Sequence, residues 1–215
     1  FYPEPRRVRG SPAPYVVQGK IHNSICDMPF NPNTIPGGKE LIDAKKTLET
    51  AGISEGMRVG DLGCGARGLF ALQTAKLVGR SGLVYAIDIL KSILKGIEVS
   101  AKEYGLSNIK SVWSDLEIYG ATKIPEASLD MCLLINVLFQ TKDDKTVIKE
   151  AMRLLKNNGR LLVVDWKKTG APFGPKVEER VNTDALKRFA QEMNLILEKE
   201  FEPGPYHFAA VFVKK

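Results

Sequence analysis

Three glycines and an aspartate within Val59–Phe70 have the types and spacing of a ligand-binding turn. Gly63, Gly65 and Gly68 follow the G-x-G-x-x-G pattern of dinucleotide-binding turns. Asp61 stands two residues before the first of these glycines. A carboxylate so close to a pyrophosphate would repel it by roughly several kcal/mol at the dielectric of a protein surface. The stretch therefore favours a ligand that carries a positive charge.

An acidic residue also follows each of the next two predicted strands. Asp88 ends an apolar run and lies 20 residues after Gly68, where an acidic side chain accepts hydrogen bonds from ribose hydroxyls. Asp115 follows the third strand and can accept from the exocyclic amine of an adenine, while the N–H of Leu116 meets a ring nitrogen. Ligands of open α/β sheets bind at the carboxyl ends of the strands. S-adenosylmethionine, which is cationic and has no phosphate, fits these charges.

The elements that must position these acids alternate between strand and helix. Apolar runs predict strands, and apolar residues spaced three and four apart predict helices. The predicted strands are Val59–Leu62, Gly82–Ile87, Ile109–Trp113, Leu129–Ile135 and Arg160–Asp165, and the predicted helices are a stripe from Leu41 to Leu48, then Leu69–Val78, Ile93–Tyr104, Thr146–Lys156 and Asp184–Met193. This alternation is typical of a parallel sheet with helices on both faces.

Two more strands are predicted after the last helix. The runs "LILEKEF" and "YHFAAVFVKK" are separated by the turn sequence "EPGP". A connection this short joins antiparallel neighbours. The predicted fold is therefore α/β, with seven strands that are mostly parallel and an antiparallel last strand.

The first 36 residues are rich in proline and basic side chains, unlike the rest of the chain. Proline at this density disfavours helices and central strands. We expect an N-terminal arm or lid over residues 1–36 and a single domain over residues 37–215. No segment has the apolar run of a membrane span or the apolar centre of a signal peptide.

Cysteine, histidine and charge content narrow the functional classes. Cys26, Cys64 and Cys132 are widely separated and odd in number, which favours the reducing cytoplasm. With only two histidines, His22 and His207, we expect no metal site. The formal net charge of +6 permits an acidic partner such as RNA but does not require one.

Five motifs in chain order resemble those of class I S-adenosylmethionine-dependent methyltransferases, of the small quinone-biosynthesis-like type. They are "VGDLGCGARG", "VYAIDIL", "VWSDLE", "LDMCLLINVLF" and "LLKNNGRLLVVDW", and with the closing hairpin the resemblance covers residues 37–215. It implies a three-layer Rossmann-like sandwich with the antiparallel last strand inside the sheet, and S-adenosylmethionine as the cofactor. The cofactor-binding residues that it implies are Asp61, Gly63, Cys64, Gly65, Asp88, Ile89, Ser114, Asp115, Leu116 and Asn136.

One position departs from the usual pattern of the family. Arg67 stands where the family usually has a glycine, and Gly68 follows one place later. The arginine either points to solvent at the start of the next helix or reaches over the cofactor and pairs with its carboxylate.

The resemblance implies direct transfer of a methyl group from the sulfonium to a small-molecule acceptor. This displacement needs alignment and exclusion of water, and it needs a general base only when the acceptor has a high pKa. We therefore assign no catalytic residue. The candidates for the acceptor pocket are Asn136, which interrupts the apolar fourth strand, Lys167 and His207.

Three other functions remain open at this point. An RNA or protein acceptor is suggested by the basic arm, although a basic platform with interleaved aromatic residues is missing; steep salt dependence of RNA binding would identify it. A non-catalytic cofactor-binding or partner subunit is suggested by Arg67. A dinucleotide oxidoreductase is disfavoured by Asp61.

Overall fold

The structure, a computed structural model, describes residues 41–168 and 174–215. The strands are β1 (Arg58–Leu62), β2 (Leu83–Asp88), β3 (Ile109–Trp113), β4 (Leu129–Ile135), β5 (Leu155–Trp166), β6 (Leu195–Gly204) and β7 (His207–Lys214). The α-helices are α1 (Ala44–Ala51), α2 (Leu69–Val78), α3 (Lys91–Glu103), α4 (Asp144–Leu154) and α5 (Thr183–Glu192), and Leu138–Gln140 forms a 3-10 helix. The predicted arm lies outside the described residues, and the domain boundary stays a prediction. No helix in the described ranges is long and apolar enough to cross a membrane.

The strands form one sheet in the order β3-β2-β1-β4-β5-β7-β6. β1 pairs in parallel with β2 on one side and with β4 on the other, so the strand order reverses at β1. Open α/β sheets bind ligands beyond the carboxyl ends of their strands at this reversal. β7 runs antiparallel to both β5 and β6. The predicted fold class is confirmed, including the antiparallel last strand inside the sheet.

Apolar layers cover both faces of the sheet. One layer joins Val59 and Met131 of the sheet to Ala71 and Ala75 of α2. The other joins alternate residues of β4 and β5 to α4 and α5. Because the central strand β4 contributes side chains to both layers, its sequence is continuously apolar from Met131 to Ile135 rather than alternating.

The helices begin in two different ways. The side chains of Asp43, Asp143 and Asn182 accept first-turn N–H groups at α1, α4 and α5. α2 instead follows Gly68, which has a left-handed backbone and provides no side-chain cap. Burial raises the pKa of Asp61 in β1, and the N–H of Ala71 in the first turn of α2 opposes this rise, so the start of this helix lies beside the predicted site.

Several predicted boundaries differ from the observed ones. α4 ends at Leu154 and β5 begins five residues before the predicted Arg160, because Leu155 already pairs with Leu129. The intervening residues form an irregularity in the register between β4 and β5. α1 starts at Ala44, since Asp43 caps it. The observed turn between β6 and β7 is shorter than the predicted "EPGP". Gly204 pairs with His207, so two residues lie between the two strands.

Glu150 of α4 holds the loop that follows β3. The residue is fully buried. Its carboxylate accepts hydrogen bonds from Nε and Nη2 of Arg153 at 2.9 and 2.7 Å, and from the N–H groups of Gly120 and Thr122 at 2.8 and 3.1 Å. Burial alone would raise the pKa of Glu150, but these hydrogen bonds outweigh it and lower the pKa to about 2.

We expect Glu150→Gln to lower the free energy of unfolding by about 3 kcal/mol at pH 7, since the pKa of Glu150 falls from 4.5 to about 2 and each pKa unit corresponds to about 1.4 kcal/mol. The folded-state pKa lies below the unfolded value of 4.5, so this stabilisation is present above pH 4.5 and is lost as the pH falls towards 2. Urea unfolding at pH 7 and pH 3 measures it. Glu49, half exposed and 3.7 Å from Lys45, is the control; Glu49→Gln should cost less than about 0.5 kcal/mol. Equal losses for the two variants would contradict the prediction.

Candidate functional site

A cavity of about 340 Å³ opens at the carboxyl ends of β1, β2 and β3. Its walls are the glycine loop after β1, the segments after β2 and β3, and the turn after β4. Seven of the ten predicted cofactor residues line it, namely Gly63, Gly65, Asp88, Ile89, Ser114, Asp115 and Leu116. Of the other three, Cys64 and Asn136 are each adjacent in the chain to a lining residue, and Asp61 lies two residues before Gly63. The volume is within the range of small-molecule pockets.

Asp61 lies beneath the glycine loop, near the end of β1. It is 2% exposed, and its Oδ2 has no hydrogen-bond partner among the described residues. Burial raises its pKa to about 7, the N–H of Ala71 opposes this rise, and the negative charge of Asp88 adds to it. A buried carboxylate oxygen without a donor is costly, so the position favours a ligand that brings a donor or a cation.

Asp88 ties the glycine loop to the end of β2. Its Oδ2 accepts the N–H of Gly65 at 3.2 Å, and its Oδ1 accepts the N–H of Leu90 at 2.9 Å. The loop is also held by the carbonyl of Ile87, which accepts the N–H groups of Gly63 and Cys64 at 2.8 and 3.0 Å. Each carboxylate oxygen can accept a second hydrogen bond, so Asp88 keeps acceptor capacity for hydroxyl groups of a ligand.

The segment after β3 supplies acceptors beside an apolar surface. Asp115 Oδ1 accepts the N–H of Glu117 at 2.9 Å, and the Oγ of Ser114 lies 3.0 Å from the Oγ1 of Thr122. Leu116 lines the same cavity as Ile89 from the β2 side. Apolar side chains flanked by carboxylates suit a planar heterocycle that carries an amine.

The turn after β4 approaches the glycine loop closely. Asn136 has a left-handed backbone with φ of 55°, which is uncommon for a residue other than glycine. Its N–H donates to the carbonyl of Val164 at 2.8 Å, and its Oδ1 is buried without a partner among the described residues. Strained backbone and an unpartnered polar atom gather at functional sites. Asn136 itself does not line the cavity, whereas the next residue, Val137, does.

Lys167 and His207 do not line the cavity. Lys167 forms an ion pair with Glu202 at 2.7 Å. His207 is fully buried against Trp166, with ring centroids 4.3 Å apart, and neither ring nitrogen has a partner among the described residues. Burial lowers the pKa of His207 to about 4, and the charges of Lys167 and Arg180 act in the same direction. The imidazole is therefore neutral at pH 7.

Two other residues near the first glycines, Cys64 and Arg67, do not line the cavity. Arg67 is exposed and does not line the cavity. The Sγ of Cys64 lies 4.0 Å from Oδ2 of Asp88. Burial, together with the charges of Asp61 and Asp88, raises the pKa of the Cys64 thiol, so it stays protonated and weakly nucleophilic.

Sequence reasoning missed six of the lining residues, namely Leu90, Ile93, Glu117, Val137, Gln140 and Thr141. Leu90, Glu117 and Val137 each follow a predicted residue directly, so extending each loop by one position would have found them. Gln140 and Thr141 belong to a three-residue 3-10 helix and its C-cap. An element this short has no periodicity that a sequence could reveal.

The reversal of strand order at β1, the glycine loop and the acids at three strand ends define a Rossmann-like fold of the methyltransferase type. A solved structure with this fold is that of a SAM dependent methyltransferase from Aquifex aeolicus, with a TM-score of 0.76 and 26% identity, covering 87% of this chain and all of that chain. Residues 53–201 match the family described as "Methyltransferase domain". The chain belongs to this family, and the predicted resemblance to class I S-adenosylmethionine-dependent methyltransferases is confirmed.

Two relatives are ubiquinone/menaquinone biosynthesis C-methyltransferases UbiE. The protein of Azotobacter vinelandii is 30% identical over 149 residues, which are 69% of this chain and 57% of the relative. That of Teredinibacter turnerae is 31% identical over 154 residues, which are 71% of this chain and 60% of the relative. The chain thus spans less than two thirds of the length of these relatives.

Gly63 marks the closest approach of the glycine loop to the turn after β4. A Cβ at Gly63 would lie 2.7 Å from Cγ2 of Val137. At Gly65, a Cβ would meet no atom within 4 Å. Both glycines have positive φ, of 78° and 66°, so a side chain at either one is strained.

We expect Gly63→Ala to cost about 1 to 2 kcal/mol more stability than Gly65→Ala, because both strain the backbone but only the first collides with Val137. Urea unfolding measures the difference. A double-mutant cycle with Val137→Ala should show that the smaller side chain at position 137 removes most of the extra stability cost of Gly63→Ala. Equal costs for the two glycine variants would show that the loop and the turn do not touch as described.

Proposed function

We propose that the chain is an S-adenosylmethionine-dependent methyltransferase that transfers a methyl group to a small-molecule acceptor by direct displacement. The observation that carries the proposal is the charge of the cavity. Its lining includes the acids Asp88, Asp115 and Glu117 and no lysine, arginine or histidine among the described residues. Such a site repels the pyrophosphate of a dinucleotide and suits an adenosyl ligand with cationic groups.

The residues present fit this cofactor. Asp61 and the glycine loop would face its positively charged methionine part, with the unpartnered Asp61 Oδ2 as the acceptor. Asp88 would accept the ribose hydroxyls. Ile89 and Leu116 would flank the adenine, and Asp115 would accept its exocyclic amine. When bound, the cofactor supplies an electrophilic methyl group on a sulfonium.

The chain's own contribution to the reaction is alignment and exclusion of water. The apolar lining of the cavity serves both purposes, because it excludes water from the reacting atoms and limits the orientations of a bound ligand. A general base is needed only for an acceptor of high pKa. We assign none.

For the acceptor we propose a small molecule of the quinone-precursor type, methylated at carbon. The names of the two relatives support this class. Asn136, between the cavity and β5, is proposed to contact the acceptor through its unpartnered Oδ1, with Lys167 and His207 as further candidates along the same sheet edge. A cytoplasmic location is part of the proposal and is supported by the free thiols of Cys64 and Cys132.

The alternatives have less support. A non-catalytic role was suggested by Arg67, but this side chain is exposed and does not narrow the cavity. No described feature favours an RNA or protein acceptor over a small molecule.

We expect wild-type protein to bind S-adenosylhomocysteine about threefold more tightly at pH 7.5 than at pH 6.5. The ammonium of the ligand prefers ionised Asp61, and the ionised fraction of a group with a pKa of about 7 rises about threefold over this range. Isothermal titration calorimetry at both pH values measures the change.

The control is Asp61→Asn, which removes the titrating group but keeps its size. This variant should bind about tenfold more weakly at pH 7.5 and should lose the pH dependence. NAD should not bind either protein. Wild-type affinity that is absent, or that is matched by the Asn variant, would contradict the proposed role of the cavity.

A further inference from the structure

Asp165, next to the last residue of β5, is a fully buried carboxylate outside the cavity lining. Its Oδ1 accepts the N–H of Trp166 at 2.8 Å, and its Oδ2 accepts the N–H of Phe139 at 3.3 Å. Burial raises its pKa to about 6, and the N–H groups of Trp166, Phe139 and Leu138 oppose this rise. Burying a charged group costs free energy, so we expect a carboxylate at this buried position to have a specific role.

Phe139 lies in the 3-10 helix Leu138–Gln140, whose N-cap residue, Val137, provides no side-chain hydrogen bond. The first N–H groups of any helix need acceptors. Asp165 supplies an acceptor for one of these N–H groups from a different element, β5. Asp143 has the same function for α4, but it is the residue directly before that helix.

The segment Val137–Thr141 forms one wall of the cavity through Val137, Gln140 and Thr141. At its near end, the N–H of Asn136 bonds to Val164; at its far end, the N–H of Lys142 bonds to Oε1 of Glu117 at 3.2 Å. Between these ends, the buried side chain of Leu138 and the carboxylate of Asp165 connect the segment to the sheet and its core.

We propose that Asp165 is a positioning residue: its carboxylate holds the segment Val137–Thr141 in the conformation that closes the cofactor cavity. The inference rests on the proposed function, because it takes the cavity to be the S-adenosylmethionine site. Asp165 acts only through this segment, since it is fully buried and does not line the cavity.

The matched control is Asp130, the second residue of β4, near the amino ends of the parallel strands and so at the opposite end from Asp165. It also accepts a backbone N–H, that of Arg58 at 2.8 Å, and it pairs with Nζ of Lys156 at 2.6 Å. Asp130→Ala should therefore lower the melting temperature without changing the cavity wall.

The experiment compares wild type, Asp165→Ala, Asp165→Asn and Asp130→Ala by hydrogen exchange and by calorimetry with S-adenosylhomocysteine. In Asp165→Ala, amide exchange at Leu138 and Phe139 should accelerate about tenfold or more, and the Kd should rise about tenfold. Asp165→Asn should fall between wild type and Asp165→Ala, because its amide oxygen still accepts one N–H. Asp130→Ala should leave the amide exchange rates and the Kd within about twofold of the wild-type values.

Asp165→Ala that exchanges and binds like Asp130→Ala would overturn the inference. If Asp165→Ala does not fold, Asp165→Asn decides: a rise of about threefold in exchange and in Kd supports the inference, and a smaller rise overturns it. Wild-type protein that does not bind S-adenosylhomocysteine would overturn the proposed function instead, while the exchange data would still test the contact between Asp165 and Phe139.

Discussion

The pairing of β1 on both sides determines where every group around the cavity lies. β1 has only five residues, yet it pairs in parallel with β2 and with β4. The chain that leaves β1 must therefore turn between the ends of its two neighbours. On one side of this turn, the carbonyl of Ile87 and the carboxylate of Asp88 accept hydrogen bonds from the glycine loop. On the other side, Val137 packs against the loop. A side chain at Gly63 would collide with Val137, so the need for glycine at this position follows from the strand pairing.

The same edge of the sheet holds groups that are costly to bury. Asp61 and Asp165 have raised pKa values, and His207 has a lowered one, each chiefly because of desolvation. A core selected only for stability would replace such groups with apolar side chains of similar size. Their concentration where parallel strands end is what a binding site requires, because a ligand can later supply the missing charge or hydrogen bond.

Much of the fold followed from the sequence because its signals are local. The strands at Ile109–Trp113 and Leu129–Ile135 and the helix at Leu69–Val78 have the predicted limits, since each begins and ends with apolar residues and is bounded by polar or glycine residues. The predicted start of β5, Arg160, was wrong, because the pairing of Leu155 with Leu129 overrides the turn-like sequence "NNG". That pairing depends on the neighbouring strand, which no local pattern reports.

For the site, too, the residues that could be predicted are those whose signals are local in the sequence. The acids at the strand ends and the glycines were visible in the sequence because their chemistry depends on position along one strand. Asp165 was predicted only as the last residue of the fifth strand, since its partner Phe139 is 26 residues away. The burial of His207 against Trp166 also depends on a pairing between distant strands, β5 and β7, that sequence spacing does not measure.

The position of β7 has a consequence for synthesis of the chain. β5 pairs with β4, which precedes it, and within the described ranges its other edge is covered by β7 alone, which also joins β6 to the sheet. While the ribosome is adding residues 167–206, β5 therefore presents an open, apolar edge that can pair with another chain. Closing it requires contacts between residues far apart in sequence, which form slowly. The protein should thus be most prone to aggregation just before β7 emerges.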